Sequence, residues 1–163
     1  MTSTTSRREF LKVSGLSLIG LAIAACGGGA APAATAAPAA AKSEVTLEIA
    51  SKGEELLYDK DKLEAPAGSK ITVKLKNNST ALQHNWVLVK PGTTDTVAND
   101  GVAAGEAADY IKAQDANVIA HIKMVKAGET GSITFDAPAA GSYPYICTFP
   151  GHYVLMKGTL TIK

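Results

Sequence analysis

The run CTFPGHYVLM, residues 147–156, places a thiol (Cys147), an imidazole (His152) and a thioether (Met156) on one short segment, with four residues and then three between them. A thiolate and imidazoles bind both Cu(I) and Cu(II), and a weak axial thioether favours the reduced ion. One cysteine and two histidines in a plane with an axial methionine is the donor set of electron-transfer copper sites. A second histidine must therefore come from elsewhere in a chain that has three. His84, in the apolar run LQHNWVLV, lies in a strand-like segment that a sandwich brings beside the C-terminal loop; His121 is the competitor.

The same residues admit other chemistries, which fit less well. Zinc takes cysteine and histidine but usually four firm donors, and a methionine in fourth place speaks against it. Cys147 and His152 as nucleophile and base would need an orienting group that the sequence does not offer, and a thiol between strands restricts substrate access. Oxidases and reductases with several coppers need more than three histidines, and a binuclear copper centre needs two nearby cysteines where only Cys147 is in place. A copper carrier would use the same ligands but should exchange its metal readily. The expectation is a non-enzyme. Taken alone, His84 would be an ordinary hydrogen-bonded residue and Met156 core filling. Trp86 and Tyr145 read as core, Tyr143 and Tyr153 as core or surface, and His121 and Met124 as core or surface residues with no metal pattern around them.

The runs QHNWVL and CTFPGHYVLMKGTLTIK closely resemble segments of blue copper proteins of the cupredoxin family, azurins and auracyanins above all, the latter in having Gln83 before the first histidine. The resemblance is strongest over 82–89 and 145–163, reaches back to about residue 44, and does not include the leader. It implies one copper ion per chain held by His84, Cys147, His152 and Met156, with backbone amides of Asn85 and Phe149 directed at the cysteine sulfur, hydrogen bonds of the kind that tune a redox potential. Gln83 stands beside the site where azurins have a glycine. The azurin disulfide has no counterpart here, because the domain lacks the cysteines. By the same likeness, Leu82, Pro150 and the edge of His152 would form the surface through which electrons leave. The function implied is a mobile one-electron carrier in a respiratory or photosynthetic chain, with a periplasmic copper carrier as the alternative. Its partners would be a quinol-oxidising membrane complex and a c-type cytochrome or photosynthetic reaction centre, and the domain would be a monomer.

Positioning these ligands requires strands. VTLEIA at 45–50 alternates Val45, Leu47 and Ile49 with Thr46 and Glu48, the period of two of a half-buried strand. ITVKLKN from Ile71, NWVLVK after His84, SITFDA around Phe135, YPYICTF before the loop and GTLTIK at the end read the same way, separated by turns at 66–68, 77–79, 91–92, Gly128 and Gly141. The expected fold is all-β, an antiparallel Greek-key sandwich of about six to eight strands. Residues 93–127 break the alternation, being rich in alanine and acidic residues, and predict one short helix; the resemblance to azurins implies that this helix lies in an inserted flap outside the sandwich.

The N-terminus carries no such signal. SRREFLK at 6–12 is a twin-arginine export signature, followed by an apolar stretch at 13–25 shorter than the roughly 20 residues a bilayer requires. Residues 1–25 are expected to be a removable leader whose end, Ile23, Ala24, Ala25 and Cys26, resembles a lipobox that lipidates Cys26 and anchors the protein outside the cell membrane. A Cys26 to Cys147 disulfide would consume the metal ligand, and nothing in the sequence holds the two together. Residues 26–42, Gly, Ala and Pro-rich, read as a flexible tether. The domain proper is expected at 43–163. The leader contributes +2 to a chain of net charge +1, leaving −1, too little of either sign to suggest a nucleic-acid partner. Asn78 lies in the sequon-like NST.

Overall fold

The computed structural model describes residues 42–163; the expected leader, Cys26 and all but the last residue of the tether lie outside them. Eight strands form two sheets: β1 (Glu44–Ala50), β2 (Lys62–Ala65), β3 (Lys70–Lys76), β4 (His84–Val89), β5 (Val118–Val125), β6 (Thr130–Asp136), β7 (Gly141–Ile146) and β8 (Lys157–Ile162). One sheet has the order β1-β3-β6 and the other β2-β8-β7-β4-β5. The chain thus changes sheet after β1, β2, β3, β5 and β6. That alternation corrects the expectation of a wholly antiparallel sandwich. Because β2 crosses to the opposite sheet, β1 and β3 run the same way, with Val45 opposite Ile71, and β2 lies parallel to β8, with Leu63 opposite Leu160.

Alternation decides which side faces in. In β3 the odd positions Ile71, Val73 and Leu75 are buried while Lys70, Lys74 and Lys76 are exposed. They meet Trp86, Leu88, Tyr145 and Leu160 of the other sheet in one core. Trp86 packs on Tyr145 and Phe135 with ring centroids 5.7 and 6.2 Å apart. Gly158 is required there, since a Cβ at that position would run into the Tyr145 ring.

β4 does not alternate: all six of its residues are buried. Both its faces are covered. Trp86 and Leu88 point into the sandwich, while Val87 and Val89 pack with Val97, Ala98 and Ile111 of the flap. The flap runs from α1 (Thr94–Ala104), the helix that the break in alternation predicts, through a 3₁₀ turn over Glu106–Ala108 to Ile111. The second half of residues 93–127 departs from expectation, because β5 occupies Val118–Val125. Two strands were thus hidden: β5, an edge strand whose pairing with β4 slips twice, and β2, only four residues long. No described helix is long and apolar enough to cross a membrane.

Candidate metal centre

β7 ends at Ile146, and the next ten residues make a tight loop before β8. The loop is held by its own backbone. The Cys147 amide donates to the Met156 carbonyl at 3.0 Å, the His152 amide to Phe149 at 3.0 Å, and the Met156 amide to His152 at 2.8 Å. Pro150 restricts one side of the turn, and Gly151, at φ 82°, takes the left-handed conformation that lets it close beside His152.

The loop and the start of β4 bring together His84, Cys147 and His152, whose donor atoms all lie within 4.8 Å of one another. Cys147 Sγ is 3.9 Å from His84 Nδ1 and 3.7 Å from His152 Nδ1. Bonds of about 2.0–2.3 Å at 120° around one ion would separate a sulfur from a nitrogen by about 3.7 Å, so the donors already stand at the spacing a single metal needs. His84 and Cys147 are fully buried, and His152 is 5 % exposed. No other group of three or more such residues occurs among the described residues. His121, half-buried on β5, is not part of it, nor is Met124 on the same strand. Met156 is wholly buried in the same core cluster as Cys147.

The electrostatics suit a metal. Burial, and then the neighbouring His152, lowers the His84 pKa to about 4, and burial lowers that of His152, so both imidazoles favour the neutral form that a metal needs. Burial pushes the Cys147 thiol up to about 11, although the backbone amides of Asn85 and Phe149 both donate to the sulfur and pull the other way. Without a metal the thiol therefore keeps its proton, which a bound cation would displace.

The surrounding bonds join the two donor regions. The Asn85 side chain donates to Thr148 Oγ1 at 2.7 Å and to the Asp109 carbonyl of the flap at 3.1 Å, and accepts from the Thr148 amide at 2.8 Å. The Tyr58 hydroxyl donates to the Asn85 carbonyl at 2.6 Å. Phe149 stacks on His152 with centroids 4.5 Å apart, and Tyr110 of the flap meets Phe149 edge-on at 5.2 Å. Sequence reading missed Tyr58, Tyr110, Thr148 and Asp109 as neighbours of the site, because their contacts depend on folding distant segments together. At the surface, Leu82 and Gln83 are half-buried and Pro150 is exposed, while Val154 and Leu155 are 55 % and 58 % exposed.

A β-sandwich with a buried Cys-His-His cluster at one end of its core is the architecture of a mononuclear copper protein. Residues 44–163 match the family of copper binding proteins, plastocyanin/azurin family. The chain is 46% identical over 150 residues to auracyanin-A of Chloroflexus aurantiacus, covering 91% of this chain and 93% of that one. It is 40% identical over 132 residues to azurin of Achromobacter denitrificans, covering 76% and 87%. The solved structure of auracyanin A, a "blue" copper protein from the same Chloroflexus species, superposes with a TM-score of 0.71 at 50% identity, covering 74% of this chain and 100% of that one. The chain belongs to the plastocyanin/azurin family of blue copper electron carriers.

Proposed function

We propose that the chain is a mobile one-electron carrier, exported and tethered outside the cell membrane, in which His84, Cys147, His152 and Met156 would together hold one copper ion, the Met156 thioether as the weakest donor. The observation that carries this reading is the convergence of one thiol and two neutral imidazoles, all buried, at the spacing of a single ion. Copper bound there supplies a Cu(II)/Cu(I) couple. The protein's part is to hold the donors still in both oxidation states, since movement of ligands on electron transfer adds to the barrier. The backbone-closed loop, the β4 strand covered on both faces and the Asn85 to Thr148 clip all serve that end. The same rigidity disfavours a copper carrier, which must release its metal: retention against a chelator separates the two.

His152 is the ligand nearest solvent, and with Leu82, Pro150, Val154 and Leu155 it offers a small apolar surface for brief encounters, which sit at the low end of interface size. No turnover of a substrate is part of this reading. The twin-arginine leader, lipidation at Cys26 and the tether over residues 26–42 would place that surface within reach of membrane redox complexes, a quinol-oxidising complex upstream and a c-type cytochrome or photosynthetic reaction centre downstream. Mass spectrometry of the native protein tests the leader and lipid.

The direct test is optical. Purified, oxidised, copper-loaded protein should absorb strongly in the visible through thiolate to Cu(II) charge transfer, and Cys147→Ser should abolish the band. A colourless copper-loaded protein ends the proposal. Met156→Leu should keep the colour and raise the potential, because losing a weak donor disfavours Cu(II).

A further inference from the structure

His84 is held unlike the other two donors. It is the first residue of β4, where the pairing with β5 slips between His84 and Trp86, and β7 pairs with β4 only farther along, at Val87 and Leu88. Bulges of this kind re-aim a side chain at the expense of the regular ladder. No protein group bonds its Nε2, so the ring takes its orientation from its backbone. The place of the missing ladder is taken by Asn77, a side chain with no exposed surface just beyond β3. Its Nδ2 donates at 2.8 Å to the carbonyl of Leu82, two residues before His84, and at 2.9 Å to the carbonyl of Val125, the residue paired with His84 on β5. Its Oδ1 accepts from the Ser51 hydroxyl and the Ser79 amide, both at 3.0 Å. Both protons and both lone pairs of the amide are used. The Asn77 backbone is anchored as well, its amide donating to Glu129 at 2.9 Å and its carbonyl accepting from Gly128 at 3.1 Å.

We propose that Asn77 is the positioning residue for His84: its NH₂ group clamps Leu82 and Val125 on either side of the bulge and thereby sets where His84 Nδ1 stands relative to Cys147 Sγ. This rests on His84 being a copper ligand, the reading of the preceding subsection. The two halves of the amide have separate tasks. The donor half faces the two carbonyls that flank the ligand, and the acceptor half faces Ser51, just after β1, and Ser79, in the turn after β3. Asn77→Asp keeps the acceptor oxygen but turns a second oxygen on the Leu82 and Val125 carbonyls. Ser51→Ala removes a bond on the acceptor side and leaves the donor half intact.

The experiment uses the full chain, loaded with copper, in wild type, Asn77→Asp, Asn77→Ala and Ser51→Ala. It measures the charge-transfer band, the Cu(II) hyperfine splitting by paramagnetic resonance, copper affinity against a chelator, and the unfolding of the apo form. Both Asn77 variants should lose about 10- to 100-fold in copper affinity, the usual effect of removing an outer partner of a ligand, with an altered hyperfine splitting. Ser51→Ala should unfold more easily yet keep the wild-type spectrum. Folded Asn77 variants with wild-type splitting and affinity overturn the proposal, as does a Ser51→Ala spectrum as altered as theirs. Should neither Asn77 variant fold, the unmutated protein decides: its Asn77 side-chain amide resonances should shift between the apo and Cu(I) forms, and unchanged resonances overturn the clamp. A wild type that binds copper without the band ends the reading of the preceding subsection instead.

Discussion

The two regions that supply the donors are built on opposite plans. Cys147, His152 and the buried Met156 sit within ten residues, and the bonds that shape their loop run among those same residues. His84 stands alone on a strand end, and the bonds that fix its surroundings reach across the fold: Asn77 ties Leu82 to Val125 on β5, and Asn85 ties the strand to Asp109 of the flap. A local turn needs only the right short sequence. An isolated ligand needs the whole domain folded around it, so mutations far from the metal should be felt mainly through His84.

The largest effect expected from this contrast is on stability. Trp86→Ala opens the core side of β4 and should cost about 3–5 kcal/mol in denaturant unfolding of the apo protein; a loss under about 1 kcal/mol would show that β4 is not anchored from the core. Asn85→Ala comes next, since it cuts the connection between the two regions and leaves the buried Thr148 amide and hydroxyl and the half-buried Asp109 carbonyl without this partner. It should cost about 1–3 kcal/mol and alter the copper spectrum, although the Asn85 backbone amide to sulfur remains; an unaltered spectrum would mean that the loop keeps its shape without the strand.

Acid and alkali separate the regions by their protons. His84 has its pKa lowered from 6.5 to about 4 in the fold, so the unfolded chain takes up a proton that the folded one refuses. Apo-protein stability should therefore fall as pH drops from about 6.5 towards 4. Cys147 is raised from 9.0 to about 11, so the unfolded chain ionises first and stability should fall again as pH rises from 9 towards 11. His84→Gln should make the acid limb shallower without removing it, since burial also lowers the pKa of His152 and His121, and should leave the alkaline limb; denaturant titrations across pH will show whether it does. Calorimetry at pH 7 should find about one proton released as copper enters, from the thiol. The smallest effect is expected at the rim: Val154→Ser should change stability by less than about 0.5 kcal/mol and leave the colour alone, and a bleached variant would place Val154 inside the site's scaffold.

Legibility in the sequence followed the same division. The loop's share of the donor cluster, Cys147 and His152, was readable because their types and spacing are local, and β3, β7 and β8 because one face of each meets solvent or marks its ends with turns. β4 was recognisable as a strand, but its unbroken burial had no explanation until the flap was seen to cover its second face. β5 was lost in the irregular stretch because its buried positions, Ala120, Ile122 and Val125, change phase at the slip in pairing. β2 was too short to show a period. Asn77 was read only as a turn residue, since a buried amide and an exposed one look alike until the carbonyls they bind are in place.

The parallel pairing of Leu63 with Leu160 dictates an order of events during synthesis. β8 sits between β2 and β7, so the larger sheet stays split until Lys157–Ile162 have left the ribosome. Before then the nascent chain already holds His84, Cys147 and His152, yet it has no finished cage to offer an ion, and chains that stop short of β8 should present the thiol to solvent instead of enclosing it.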